Sequence, residues 1–414
     1  MDVEGQPVMP RAQVVPEDFP QVSRGERDRR WAAIRREMSW KGIDCLLVVG
    51  SSARWNEMHG NIRYLTNYAD PLSTMSYAIF PAHGDGTLIV QMTVKRSLLA
   101  QSWLSDVRPR ATANVPEILA ERVTALGMQR GTLGLVAMPY GEDERICIPY
   151  TIRDRIRETL PQLRLVDASD MFVALRSVKS EEEIGCLEKS AALCDLAFRK
   201  HLELIHPGMR ERELAASLVE AVEAEGADPP TLVLLNSGPM PREELMGDPF
   251  FSGRILRGGD VVTSEIGPKW AGYQAQSMQC VSLGPPGRKL QELAKYGIEV
   301  FHKVVDRLRP GNSAGEAAGA GDGVIARAEE KLGAELARGL RPLIHESGFG
   351  GPDPTPRPWT IQANQAFMVE IGPGQTAPQH VYVGSCYIVT PSGPRLLGKV
   401  PPGKKILAVA GGSQ

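Results

Sequence analysis

Gly259-Asp260-Val261-Val262-Thr263-Ser264-Glu265-Ile266-Gly267 sets a run of β-favouring residues between glycines and places an acid near its end. Burying a glutamate beside Ile266 on such a strand is costly without a partner, so Glu265 is read as a pocket residue. Asp260–Ile266 and the downstream segment Ala271–Leu283 pair as a hairpin. Gln276, eleven residues after Glu265, lies opposite it. Moving outward, Asn364-Gln365-Ala366-Phe367-Met368-Val369-Glu370 repeats the pattern of a strand running into an acid, and Cys386–Thr390 is a last strand. Helical segments stand between and before these strands. Ser180 followed by Glu183 is a capping-box pattern that opens a long helix through about Leu204. A second helix covers Glu211–Glu225, and a third covers Lys289–Leu308. Pro310-Gly311 stops the third, and a fourth runs on through about Leu336. Helix pairs alternating with antiparallel strands predict an α+β domain. The Gly319-x-Gly321-x-Gly323 run follows no strand and lacks a P-loop lysine, so it reads as a loop or a poor helix start.

The first part of the chain is built differently. Arg24–Met38 is a helix with Trp31, Ile34 and Met38 on one face, and Ile43–Val49 is a buried strand. Met75–Phe80 and Thr87–Met92 flank His83-Gly84-Asp85-Gly86, a hairpin signal. Thr132–Met138 and Leu163–Val166 are strands around a helix at Ile152–Leu160. The resulting division is a loose polar arm over residues 1–22, an α/β domain over 23–173 and an α+β domain over 174–414.

A length of 414 residues calls for two cores rather than one. The formal net charge of −2 gives no bulk attraction to nucleic acid or to an anionic membrane. No apolar run reaches the roughly eighteen residues of a membrane span. The cysteines form no C-x-x-C pair and read as buried thiols. The expectation is a cytoplasmic protein with a small-molecule substrate and no nucleic-acid or membrane partner.

Several motifs, in order, carry a resemblance. They are Tyr64-Leu65-Thr66-Asn67-Tyr68, Leu175-Arg176-x-x-Lys179-Ser180-x-x-Glu183-Ile184, the Gly259–Glu265 strand with Gly272-Tyr273, Pro310-Gly311, Asn364–Glu370 and Thr390-Pro391-Ser392-Gly393-Pro394. In this order and spacing the chain resembles the creatinase/prolidase/aminopeptidase P superfamily. The resemblance implies a pita-bread C-terminal catalytic domain preceded by a creatinase-type α/β domain. It also implies a homodimer in which the N-terminal domain of one copy helps close the other's pocket. That makes Arg63 and His59 candidate substrate contacts.

Metallopeptidases of this superfamily hold two divalent cations with Asp, Asp, His, Glu and Glu. Carried across, these fall on Glu265, Gln276, His345, Glu370 and Gly384. His345 matches either of two family histidines, one a metal ligand and the other a substrate contact. Two carboxylates, one imidazole, one amide and one glycine offer little charge for two dications. The expectation is therefore no metal and no cofactor, with a creatinase-like cleavage of a C–N bond, or a related elimination, in an amino-acid-like or amidine-like molecule. His345, Glu265 and Glu370 are the catalytic candidates; Gln276, Tyr273 and Asp248 join Arg63 and His59 as substrate contacts. Asp248 occupies the place where creatinase keeps its catalytic histidine. The alternatives are an Xaa-Pro metallopeptidase with an unusual metal site, or a non-catalytic peptide- or protein-binding module.

Overall fold

The computed structural model describes residues 20–51, 60–69, 74–91, 101–109, 114–137, 148–238, 251–349, 359–372, 381–400 and 407–409. Two compact units divide essentially at Arg176/Ser177.

The first unit opens with α1 (Arg24–Lys41). Ser23 Oγ accepts from the Glu26 N–H at 3.1 Å to start it, and Gly42, at φ 63°, ends it in the left-handed conformation. Then come β1 (Cys45–Ser51), α2 (Gly60–Thr66), β2 (Met75–Pro81), β3 (Thr87–Val90), β4 (Asp106–Pro109), α3 (Val115–Ala125), β5 (Thr132–Val136), α4 (Tyr150–Thr159), β6 (Arg164–Asp167) and α5 (Ser169–Ser177). The strands form one mixed sheet in the order β4-β3-β2-β1-β5-β6. β1 lies at its centre, antiparallel to β2 and parallel to β5. Its apolar run is covered on both faces, as a central strand of such a sheet requires. Leu47 and Val49 join Ile118 and Leu119 of α3 and Ile156 of α4, while on the other side Trp31 of α1 meets Phe80 of β2 at 5.4 Å.

The second unit begins with α6 (Glu181–Leu204), whose capping box is complete: Ser180 and Glu183 each accept the other's backbone N–H. α7 (Glu211–Glu223), β7 (Leu232–Ser237), β8 (Val261–Gly267), β9 (Lys269–Trp270), β10 (Tyr273–Gln274) and β11 (Ser277–Leu283) follow. Next are α8 (Arg288–Val305), α9 (Ala314–Gly319), α10 (Asp322–Leu332), α11 (Ala334–Ala337), β12 (Pro342–Glu346), β13 (Ala366–Ile371), β14 (Val383–Thr390), β15 (Gly393–Leu396) and β16 (Leu407–Val409). The large sheet runs β12-β13-β14-β11-β8-β7, with β15 on β14 and β16 on β11.

Two expected elements are subdivided. The single helix expected after Pro310-Gly311 is three shorter ones: Gly321, where a Cβ would lie 2.6 Å from a Val300 methyl of α8, stands at the first break, and Gly333, at φ 94°, stands at the second. The strand expected over Ala271–Leu283 breaks into β10 and β11. At the break the Gln276 N–H leaves the ladder and donates to Cys386 Sγ at 3.1 Å.

Helices line one face of the large sheet. Val262 and Ile266 of β8 enter an apolar cluster with Ala197 and Phe198 of α6 and Leu214 and Leu218 of α7. Tyr387 of β14 meets Phe301 of α8 at 6.1 Å. Successive residues of a strand alternate faces, so Glu265 between Ser264 and Ile266, and Cys386 beside Tyr387, point the other way.

Candidate functional site

The register assembles the site on that other face. Met278 of β11 is paired with Glu265 of β8 on one side and with Gly384 of β14 on the other. Gly384 is in turn paired with Glu370 of β13. One transverse row across four strands therefore reads Glu265, Met278, Gly384, Glu370. Two residues along their strands, on the same face, lie Gln276, Met368 and Cys386, and His345 of β12 is paired with Met368.

The polar members form two hydrogen-bonded pairs. Gln276 Nε2 donates to Glu265 Oε1 at 2.7 Å, and His345 Nε2 meets Glu370 Oε1 at 3.0 Å. His345 Nδ1 faces the Glu346 carbonyl at 3.2 Å, which leaves Nε2 aimed at the carboxylate. Glu265 is 1% exposed, Glu370 3% and Gln276 5%, whereas the His345 side chain keeps 21% exposure. Burial, then the neighbouring Glu370 carboxylate, pushes Glu265 up to about 8 despite the help of His345 and Gln276. Burial pulls the His345 imidazole down, but Glu370 with the support of Glu265 outweighs it, and the group titrates at about 9. Glu265 Oε2 is buried with no partner.

The other expected contacts are placed as follows. Tyr273 is 1% exposed; its hydroxyl donates to Glu183 Oε1 at 2.6 Å and its ring packs on Phe349 at 4.3 Å. Arg63 belongs to the first unit, is 2% exposed and donates to the Pro20 carbonyl. His59 and Asp248 lie outside the described residues.

Four neighbours of the cluster were not singled out from the sequence. Met278 and Met368 pack over Gly384; Cys386 Sγ lies 3.6 Å from Met368 Sδ and accepts from Ser347 Oγ at 3.1 Å. The strand alternation that marks Gln276 and Glu370 would have put Met278 and Met368 beside them.

Among the described residues no three histidine, cysteine or acidic side chains already surround a point as ligands. His345 and Glu370 hold each other, and Gln276 holds Glu265. In kind, two carboxylates and an imidazole, with an unpartnered buried carboxylate oxygen, suit one divalent cation. A pair of ions needs shared carboxylates, which neither Gln276 nor Gly384 offers.

Comparison with known proteins fixes the context. Residues 185–391 match the model of metallopeptidase family M24, and residues 30–178 match that of the creatinase/prolidase N-terminal domain. A probable dipeptidase PepE of Mycobacterium bovis is 27% identical over 225 residues, which are 51% of this chain and 59% of that protein. A Xaa-Pro dipeptidase of Pyrococcus horikoshii is 25% identical over 202 residues, 48% of this chain and 57% of its own. The matched segments thus span less than two thirds of these relatives. Among solved structures, an X-Pro aminopeptidase from Thermotoga maritima superposes with a TM-score of 0.75 at 20% identity, covering 92% of this chain and 99% of the other. Dipeptidase PepE from Mycobacterium ulcerans gives 0.73 at 22%, covering 94% and 100%. Two expectations are corrected by these matches. The creatinase-like, metal-independent hydrolase is displaced because the relatives are dipeptidases and Xaa-Pro dipeptidases by name. The absence of a cofactor is displaced because the matching family is one of metallopeptidases. Motif order, sheet topology and both domain matches lead to one assignment: the chain belongs to metallopeptidase family M24, in the creatinase/prolidase/aminopeptidase P superfamily, with a pita-bread domain behind a creatinase-type N-terminal domain.

Proposed function

We propose that the chain is a metal-dependent hydrolase of dipeptides or short peptides of the Xaa-Pro type, working with an unusual metal site. The observation that supports this most is the gathering of Glu265, His345 and Glu370 at family ligand positions on one buried face. The names of the curated relatives support the substrate class.

Glu265, His345 and Glu370 are the residues that would hold the ion. When bound, a divalent cation supplies Lewis acidity, which polarises a peptide carbonyl and acidifies water. The chain's own groups do the rest. Gln276 fixes the orientation of Glu265 through its amide hydrogen bond. His345, the exposed member, is placed to meet the substrate as it enters. Assembly as a homodimer is part of the same proposal; it rests on the family resemblance, and light scattering checks it.

The deciding assay loads purified protein with Mn(II), Co(II) or Zn(II) and offers Xaa-Pro dipeptides beside dipeptides lacking proline. Hydrolysis of the proline dipeptides, abolished by a chelator, is expected. No turnover of any dipeptide with any of the three ions would defeat the proposal; binding without turnover would leave a peptide-binding module.

A further inference from the structure

The place of the last family carboxylate is occupied. Gly384 stands in the row between Glu265 and Glu370, but a Cβ built on it would lie 2.6 Å from Met368 Cε and 2.8 Å from Met278 Sδ. Met278 Cγ is also only 3.0 Å away. Both methionines are buried, at 1% and 0% exposure, and Met368 Sδ is backed by Cys386 Sγ at 3.6 Å. A methionine end yields to one methyl group by turning about its own bonds. It does not yield to a glutamate side chain, which needs four further heavy atoms of room beyond Cβ and polar partners for its charge. The surroundings offer thioethers and a thiol whose pKa burial pushes up to about 12.

We infer that Met278 and Met368 close the fifth ligand position, so that the centre takes one ion per chain. The loss of the carboxylate at position 384 is then not an isolated change. The glycine and the two methionines form one packed unit, and restoring the ligand alone does not restore its space. Gln276 fits the same picture: its amide neutralises nothing and needs no second cation, and it is spent on Glu265.

This inference rests on the proposal that the chain is metal-dependent, and ion counting separates the two. Protein loaded with Mn(II), desalted and submitted to elemental analysis is expected to keep one ion per chain. The variant Gln276→Asp/Gly384→Glu, which returns both missing acids, is expected to stay at one. Adding Met278→Ala and Met368→Ala to it is expected to raise the count to two. Circular dichroism and melting curves on each variant confirm that a folded protein is being counted. Two ions in the wild type, or two in the variant that keeps both methionines, would overturn the inference and leave the peptidase proposal standing. Zero ions in the wild type, with no dipeptide turnover, would overturn both. A folded four-site variant that still holds one ion would also overturn it, since the methionines would then not be what excludes the second.

Discussion

His345 and His201 lie on opposite faces of the large sheet and have opposite electrostatics. His345 faces two acids, which support its charged form. His201 of α6 is 1% exposed behind β8, with Nδ1 on Ser264 Oγ at 3.1 Å and Nε2 without a partner. Burial alone lowers its pKa to about 4. In the unfolded chain the imidazole titrates at about 6.5, so between about 6.5 and 4 the unfolded state binds one more proton. Stability is therefore full above about pH 6.5 and falls as the pH drops toward 4. The span of about 2.5 pH units is worth about 3 kcal/mol. Urea midpoints of wild type and His201→Leu, measured from pH 7.5 to 4.5, should diverge over that range; parallel curves would remove the assignment. For His345 the expectation concerns rate: His345→Ala should lower kcat on an Xaa-Pro dipeptide by about 10²–10⁴-fold. Unchanged turnover would show that the imidazole is packing only. The sequence exposed both acids and Gln276, because a polar residue at a core-facing strand position stands out. It did not expose His201, which sits inside a helix, and no local pattern marks a histidine whose partner is a serine 63 residues away.

At the scale of elements, the start of α6 and the strand that carries His345 are tied together. Lys179 Nζ pairs with Glu346 Oε1 and also donates to the Ser177 carbonyl at 3.0 Å. Both side chains are buried, and Glu346 Oε2 has no partner. Removing one member leaves an uncompensated buried charge, so Lys179→Met should cost about 3–5 kcal/mol. Removing both, as Lys179→Met/Glu346→Leu, should recover most of that loss. A double-mutant cycle in urea reads the coupling directly, and additive losses would mean that the pair does not form. Long amphipathic helices and the capping box at Ser180 were legible because their signals are local. β12 and β7 were not. Pro342–Glu346 is five residues long and opens on proline, and Leu232–Leu235 is buried on both faces and so lacks alternation. The Lys179–Glu346 pair joins positions 167 apart, a distance over which a single sequence carries no pairing signal.

For the molecule as a whole, the family was legible because many weak motifs fall in one order along the chain. The metal chemistry was misjudged from the same motifs. The expectation of no cofactor gives way to the match with a family of metallopeptidases, and Glu265, Glu370 and His345 stand on one face of the large sheet. What fills the gap at Gly384 was invisible, because Met278 and Met368 reach it only through strand register.

That register also governs how the pocket comes into being. β8 and β11 share six register pairs, as do β13 and β14, yet β11 and β14 share only two, Ser277 with Ser385 and Met278 with Gly384. Each hairpin closes a comparatively short loop, while the seam joins residues about a hundred positions apart, and such long closures carry the larger entropic cost. Glu265 belongs to one half and His345 with Glu370 to the other, so neither half holds the cluster by itself. The seam should be the last contact made and the first one lost. In native-state hydrogen exchange, the amides of Met278 and Gly384, which alternation along their strands points across the seam, should lose protection at lower denaturant than those within either hairpin. Equal protection across the sheet would mean that the pocket closes together with its halves. If the seam does open first, the cluster is dismantled while both hairpins are still folded, and activity should disappear before the global unfolding transition begins.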